Sequence, residues 1–431
     1  MSNTDSNNPA SKTTLWAAFV QAYAEPQGSP IRELFSYLSR PGIISFAGGY
    51  PSNSLFDFGG LREAATRAMA RDADWPQYGA TEGAVALRAA LAERMAQRGI
   101  QAEADEILIT AGSQQGFDLL TRVYIASGDI VYIEAPAYPA ALQALRTAGA
   151  DIRTVATDGH GLCVDDLERQ LLAAGPRRPK FLYTVPSFSN PAGTLLPQAR
   201  RTQLVALARR YGLLIVEDDP YGELSFGPSK VSTLYAEGQR QAAEAPADKQ
   251  AAHPCPGYNP VIYLSSLSKT VAPALRLGWM VAPEPIRRRC TIAKQTSDIC
   301  TSPISQAIAL EYLRSGRYDA HVGQACAVYQ QRMSTMANTL AERLRGKIEF
   351  VQPQGGMFLW ATLTADVAPN KLFKTAVEQG VLFVPGAAFY LDQPQAPALR
   401  LSYAAPDIDQ IRHGIDRLAT ALQLAISTNT P

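Results

Sequence analysis

The sequence predicts an α/β protein: a large domain with a mainly parallel seven-stranded sheet between helices, plus a smaller α+β domain. Three observations predict it. Strand-like and helix-like segments alternate through the middle of the chain. Most of its notable polar residues fall just after strands, where open α/β sheets bind ligands. After Arg314 the texture changes to one long helical stretch and several short strands. At 431 residues the chain also exceeds one ordinary domain.

Six strands of the large sheet can be placed. Ile107–Thr110 reads as a short buried strand that ends at Gly112. Residues 114–126 then read as a helix with apolar positions at Phe117, Leu119, Leu120, Val123 and Tyr124. Further strands read at Ile130–Glu134, Phe181–Val185, Leu213–Val216, Val261–Leu264 and Leu277–Val281, with a helix over Gln198–Tyr211. Residues 318–345 read as a long helix, and residues 348–351, 357–363 and 399–402 as strands of the smaller domain. The expected division is a disordered polar tail over 1–13, an N-terminal segment over 14–60 packing with the small domain, a large domain over 61–314 and a small domain over 315–431. Residues 236–259 are rich in Ala, Gln, Glu and Pro without an apolar period, and read as a surface insert.

Composition narrows the function. The 40 basic and 39 acidic residues leave a net charge of +1, which points to neither nucleic acid nor an acidic lipid surface. Cys163, Cys255, Cys290, Cys300 and Cys326 are scattered without a CxxC, against a disulfide framework and in keeping with a reducing compartment. His253 and Cys255 stand close together but lack a second pair, so no metal site is expected. A signal peptide and a bilayer-length apolar run are both missing, and a cytoplasmic protein is expected.

The chemistry begins at Ser265-Ser266-Leu267-Ser268-Lys269. A lone Ser-x-Ser-Lys most often caps a surface turn, but Arg276 follows in Ala274-Leu275-Arg276-Leu277-Gly278-Trp279. A lysine amine forms a Schiff base with a carbonyl cofactor when part of it is unprotonated. A dry pocket and an adjacent cation lower its pKa and help. A phosphate-bearing cofactor also needs hydroxyls and a guanidinium, which Ser266, Ser268 and Arg276 supply. Val216-Glu217-Asp218-Asp219-Pro220-Tyr221 follows a strand, where acids are commonly caps or metal ligands. With pyridoxal 5′-phosphate, a carboxylate on the pyridine nitrogen keeps the ring electron-poor, and Asp218 is placed in that role. Tyr221 is placed at the ring's 3′ oxygen. Ser189-Asn190-Pro191-Ala192-Gly193 reads as a turn whose asparagine amide could bond the ring oxygen and a substrate carboxylate. Ala111-Gly112-Ser113-Gln114-Gln115 joins a strand to a helix N-terminus, where Ser113 and Gln114 face a phosphate. Tyr138, just past a strand, is placed to stack on the ring, although a core position is the commoner fate of an aromatic there.

Together these clusters resemble the fold-type I PLP-dependent aminotransferases, the aspartate-aminotransferase-like family, from about residue 15 to the end of the chain. The most specific part is Asn190-Pro191-x-Gly193, Asp218-x-x-Tyr221, Ser266-x-x-Lys269 and Arg276. The resemblance implies that Lys269 carries the cofactor and shuttles the proton, and that Asp218 pairs with the pyridine nitrogen. It implies that Asn190 and Tyr221 bond the ring oxygen while Ser266 and Arg276 hold the phosphate. Arg400, in Leu399-Arg400-Leu401-Ser402, resembles the arginine that grips the substrate α-carboxylate. Tyr78, in Gln77-Tyr78-Gly79, resembles a tyrosine that reaches the neighbouring subunit's phosphate, which implies a homodimer with shared sites. Ala192 departs from the threonine the family often has there.

Ser29-Pro30-Ile31-Arg32-Glu33-Leu34 and the run from Arg40 to Gly49, followed by Pro51, resemble the 2-aminoadipate and kynurenine aminotransferase branch. That likeness adds Gly49 and Arg32 to the substrate-binding set, a solvated arginine being the equal alternative for Arg32. The implied activity is ping-pong transfer of an amino group from an L-amino acid (2-aminoadipate, aromatic or branched-chain) to a 2-oxo acid such as 2-oxoglutarate. A β-lyase or decarboxylase on the same fold shares the cofactor residues and stays open. A silent regulatory module of this fold is disfavoured, because only about 30 residues precede the aminotransferase-like region, too few for a DNA-binding domain. A nucleotide-binding Rossmann protein is disfavoured for want of a Gly-rich fingerprint.

Overall fold

The structure is a computed structural model that describes residues 40–70, 76–175, 177–227, 231–244, 258–392 and 396–427, with Tyr23 and residues 34–38. The expected tail over 1–13, Arg32, and residues 245–257 with His253 and Cys255 lie outside the described residues. No described helix is long and apolar enough to cross a membrane. No group of potential metal ligands occurs among the described residues.

A two-residue strand, β1 (Ile44–Ser45), precedes the large sheet. That sheet contains β2 (Ile107–Thr110), β3 (Ile130–Ala135), β4 (Asp151–Asp158), β5 (Gly161–Leu162), β6 (Phe181–Thr184), β7 (Leu214–Asp218), β8 (Val261–Ser266) and β9 (Gly278–Val281). Its order is β2-β9-β8-β7-β6-β3-β4-β5. Strands β4, β3, β6, β7 and β8 run parallel, whereas β9 is antiparallel to both β8 and β2. Strands covered on both faces become nearly continuous apolar runs, which is why β2, β3, β6 and β8 were legible: all but the last residue of β3 are buried.

The sheet divides two cores. Leu108, Phe117, Tyr183 and Val216 pack on one face. Ile107, Tyr132, Ile215 and Tyr263 pack on the other.

Two elements depart from the sequence reading. Strand β4, Asp-Ile-Arg-Thr-Val-Ala-Thr-Asp, went unplaced because it lies near the sheet edge with half-buried side chains and no clear apolar alternation. With its short antiparallel return β5 it brings the sheet to eight strands. The expected surface insert at 236–259 is a correction over its first nine residues. They continue the helix Leu234–Glu244, whose Leu234, Tyr235, Glu237 and Gly238 are buried. The buried Glu217 carboxylate accepts the Leu234 and Tyr235 amides at 2.9 and 2.8 Å, satisfying donors that a helix start leaves free. The apolar anchors lie just before the boundary drawn, so the polar remainder looked unattached.

The smaller sheet is antiparallel and contains β10 (Ile348–Phe350), β11 (Phe358–Leu363), β13 (Val384–Pro385) and β14 (Ala398–Ser402), in the order β10-β11-β14-β13. The helices Tyr318–Arg343 and Ile408–Ser427 pack together beside it. Strand β12 (Val381–Leu382) pairs in parallel with β1, and the Ser402 amide donates to the Phe46 carbonyl at 2.8 Å. The described part of the N-terminal segment therefore docks on the smaller unit. The segment's last three residues instead open the helix Phe58–Ala70, which packs against Pro303–Arg314.

Gly278 is where the sheet and the helix-bearing turn after β2 meet. A Cβ at this position would lie 2.5 Å from the Gly112 carbonyl carbon and the Ser113 nitrogen, and 2.7 Å from the Ser265 oxygen. All three are backbone atoms and cannot swing aside. Gly278→Ala is expected to destabilise the fold by ~1–3 kcal/mol and to weaken binding of a phosphate-bearing ligand at the turn. Denaturant unfolding and a ligand titration check both.

Candidate active site

The parallel strands aim their C-terminal ends at one place. Lys269 lies just beyond β8, in a turn shaped by Ser266. The Ser266 Oγ lies 2.8 Å from Ser268 Oγ and 2.9 Å from the Leu277 carbonyl, and it accepts the Ser268 amide at 3.0 Å. Lys269 Nζ donates to the Gly49 carbonyl at 2.8 Å. Burial pushes the amine down to about 8, and the Arg400 and Arg276 guanidiniums push the same way against Asp218. An appreciable share of Lys269 is then a free amine near neutral pH, the form that attacks carbonyl carbon.

Asp218 ends β7 and is 5% exposed. Tyr183 OH donates to its Oδ2 at 2.7 Å, while Oδ1 is buried without a hydrogen-bond partner among the described residues. Burial lifts the carboxyl to about 6, although the Tyr183 and Ser113 hydroxyls pull the other way. A buried acceptor of this kind calls for a donor.

Arg400 stands in β14, opposite Trp360 of β11. It is 1% exposed. Nη1 donates to Asn190 Oδ1 at 2.9 Å and Nη2 to the Ala47 carbonyl at 2.5 Å. Its guanidinium carbon sits 4.4 Å from the Phe358 ring centre and 5.1 Å from that of Phe389. Among the described residues no carboxylate pairs with it, and Nε makes no hydrogen bond. Burial holds it down at about 10. The Arg400 bond occupies the oxygen of the Asn190 amide and leaves its NH₂ as a donor. Tyr221 is buried, packs edge-on to Phe358 with centroids 5.8 Å apart, and is driven above its ordinary pKa by burial. Half-buried Tyr138 caps the helix Pro139–Thr147 and lies close enough to act electrostatically on Tyr221 and Arg400.

A second group of predicted site residues gathers at the turn after β2. Gly112 caps the helix Ser113–Tyr124 with φ of +87°, a conformation natural to glycine. Arg276 is exposed, takes φ of +49°, and donates from Nη2 to the Ala111 carbonyl at 3.0 Å. Ser113 and Gln114 are the first two residues of that helix, half-buried and exposed respectively. Tyr78 stands apart: its side chain is 74% exposed.

The structure thus brings Lys269, Asp218, Gly49 and Arg400 together with Asn190, Tyr221 and Tyr138, and sets Ser113, Ser266 and Arg276 at the neighbouring turn. Sequence reasoning missed Tyr183, Phe358 and Phe389. Each sits in an apolar stretch and reads as core, and only tertiary packing turns it toward a charge.

The model of the aminotransferase class I and II family matches residues 50–418. The chain belongs to the class I and II aminotransferases. As a sequence, this aminotransferase is similar to 2-aminoadipate transaminase of Thermus thermophilus, 37% identical over 96% of this chain and 98% of the relative. It is also similar to aromatic-amino-acid aminotransferase 1 of Thermococcus litoralis, 36% identical over 92% of each chain. As a structure it resembles the α-aminoadipate aminotransferase LysN of Thermus thermophilus, complexed with N-(5′-phosphopyridoxyl)-L-leucine, with a TM-score of 0.85 and 36% identity over 95% of this chain and 98% of the other. The family works with pyridoxal 5′-phosphate, and the residues here fit that group. Asp218 Oδ1 is buried without a donor among the described residues, Lys269 is an amine with lowered pKa, and a Cβ on Gly112 would lie 2.9 Å from Arg276 Nη2, so the bare turn lets that guanidinium sit against the helix start.

Two outcomes are expected. The aminotransferase freed of cofactor should capture pyridoxal 5′-phosphate with a rate that climbs through about pH 8, and Arg400→Met should move that midpoint upward, as absorbance at each pH will show. Asp218 is neutral more readily in the fold than in the unfolded chain, so the cofactor-free protein should lose stability as pH rises from the ordinary 3.8 through about 6. Asp218→Asn should remove that loss while lowering turnover by roughly 10²- to 10³-fold, measured by thermal unfolding across pH and by steady-state assay.

Proposed function

We propose that this aminotransferase moves the amino group of an L-amino acid to a 2-oxo acid, 2-oxoglutarate among them, in a ping-pong cycle, with 2-aminoadipate, aromatic or branched-chain amino acids as donors. The observation that carries the reading is Arg400: a buried guanidinium without an acid partner among the described residues, close enough to the Lys269 amine to lower its proton affinity. A substrate α-carboxylate answers that cation as a bidentate partner. Similarity to the named 2-aminoadipate and aromatic enzymes supports the donor class.

Arg400 and Asn190 orient the substrate carboxylate, which brings the α-carbon toward Lys269. Pyridoxal 5′-phosphate supplies the electron-withdrawing ring on which the amino group is carried. Lys269, as the free amine at Nζ, would take the α-proton and hold it as the ammonium for redelivery. With the cofactor bound, Asp218 Oδ1 would accept from the pyridine N–H and hold that proton in place. Tyr221 and Asn190 would donate to the ring oxygen, and Tyr138 would cover one face of the ring. Ser113, Gln114, Ser266, Ser268 and Arg276 would hold the phosphate. The exposed Tyr78 would reach the phosphate of a second copy, which makes the enzyme a homodimer with shared sites; the scattered cysteines support a cytoplasmic enzyme.

Lys269→Ala is expected to abolish formation of 2-oxo acid across a panel of 2-aminoadipate, kynurenine, aromatic, branched-chain, glutamate and lysine donors. Normal turnover in that variant would sink the mechanism, and release of ammonia or carbon dioxide in place of 2-oxo acid by the unaltered enzyme would replace the activity. Mixing Lys269→Ala with Tyr78→Ala protein should regain up to about a quarter of the unaltered activity, because half of randomly paired dimers contain one intact composite site. No recovery after subunit exchange would show that sites are not shared.

A further inference from the structure

Arg201 has no part in the chemistry above, yet its side chain is completely buried. It lies in the helix Gln198–Tyr211 and reaches under the sheet. Nε donates to the Leu196 carbonyl at 2.8 Å, and Nη2 donates to the Pro186 carbonyl at 2.8 Å and to Ser187 Oγ at 3.0 Å. These groups are the two ends of one hairpin. The Leu196 amide donates to the Pro186 carbonyl at 2.8 Å, Ser187 and Leu195 bridge, and the Ser189 amide donates to the Thr194 carbonyl at 3.1 Å. The apex is Asn190-Pro191-Ala192-Gly193. Arg201 Nη1 also lies 3.7 Å from Glu217 Oε1, next in β7 to Asp218. One planar cation therefore joins the base of the asparagine hairpin to the strand that ends in the site carboxylate.

The hairpin needs such a hold. Phe188 takes φ of +54°, a region that bulky residues enter only when their surroundings enforce it. At the apex Gly193 takes φ of +67° and is pressed against the smaller sheet, where an added Cβ would lie 2.4 Å from the Phe358 carbonyl oxygen. The apex is thus fixed from above by packing, and the base from below by the guanidinium fork.

We propose that Arg201 is a positioning residue for Asn190: its clamp on the hairpin base holds the Asn190 amide in register with Arg400 and with the ring oxygen of the bound cofactor. The inference rests on the reading of Asn190 given under Proposed function. It acts through geometry, since Arg201 itself reaches neither substrate nor cofactor. A lysine cannot replace it, because a point donor does not serve divergent acceptors as a planar fork does.

The test uses loaded enzyme and reads the visible band of the cofactor against pH. That band titrates with the proton shared between Lys269 and the ring oxygen. An amide N–H on the oxygen stabilises its anion and lowers the proton affinity, so losing it raises the midpoint. Asn190→Ala should raise the midpoint by about one pH unit. Arg201→Met should raise it by at least half as much, and the double variant should rise no further than Asn190→Ala alone, the signature of one shared pathway. Turnover per KM of Arg201→Met should fall ~10- to 100-fold, with far-ultraviolet circular dichroism unchanged. A wild-type midpoint in Arg201→Met beside a shifted Asn190→Ala overturns the clamp, as do fully additive shifts. A wild-type midpoint in Asn190→Ala overturns the reading of Asn190 and this inference with it. If the Met variant does not fold, Arg201→Lys decides: a raised midpoint supports the clamp and a wild-type one overturns it.

Discussion

Arg400 is sealed between Phe358 and Phe389 and, among the described residues, gives its hydrogens to an amide and a backbone carbonyl rather than to a carboxylate. Burying a cation without a counter-charge is costly, and the cost is visible in its lowered proton affinity and that of nearby Lys269. The rest of the site can be read as an answer to that cost. The rings shield the guanidinium with their faces, Asn190 fixes its direction, and Nε is left without a hydrogen bond among the described residues. Burial lowers the proton affinity of Lys269, and the Arg400 charge adds to that effect.

The three consecutive acids at the end of β7 show how a strand sorts chemistry from scaffold. Strand residues alternate between faces, so Asp218 joins Tyr183 on the site face while Glu217 and Asp219 turn away. Glu217 starts the helix Leu234–Glu244, and Asp219 pairs with Arg98 at 2.6 Å and accepts from Tyr263 OH at 3.0 Å. Chemically alike side chains thereby do different work one residue apart. The distal face is a dry network of ion pairs, and the near face offers one carboxylate with an oxygen to spare.

Much of this was legible in the sequence because it depends on strand ends. Lys269, Asp218, Asn190 and Ser113 each follow an apolar run, and parallel sheets bring such ends together. Arg400 was legible through the apolar residues that flank it. The positions that escaped depend on packing across the sheet or between units. Tyr183 reads as one more core tyrosine until its hydroxyl meets Asp218. Phe358 and Phe389 become cation-shielding rings only when β11 and the segment after β13 close around Arg400. Arg201 looked like one of several helix arginines, and nothing local shows that it is the one turned inward. Strand β4 escaped for the opposite reason: half-exposed, it carries too little apolar signal to stand out.

The Lys269 amine donates to the Gly49 carbonyl, delivered by the segment that begins with β1. A neutral acceptor holds an amine by about 1 kcal/mol net, whereas a carboxylate in so dry a place would hold it far harder. A backbone carbonyl therefore gives the Lys269 amine a direction without fixing its charge, and leaves it free to exchange this partner for another.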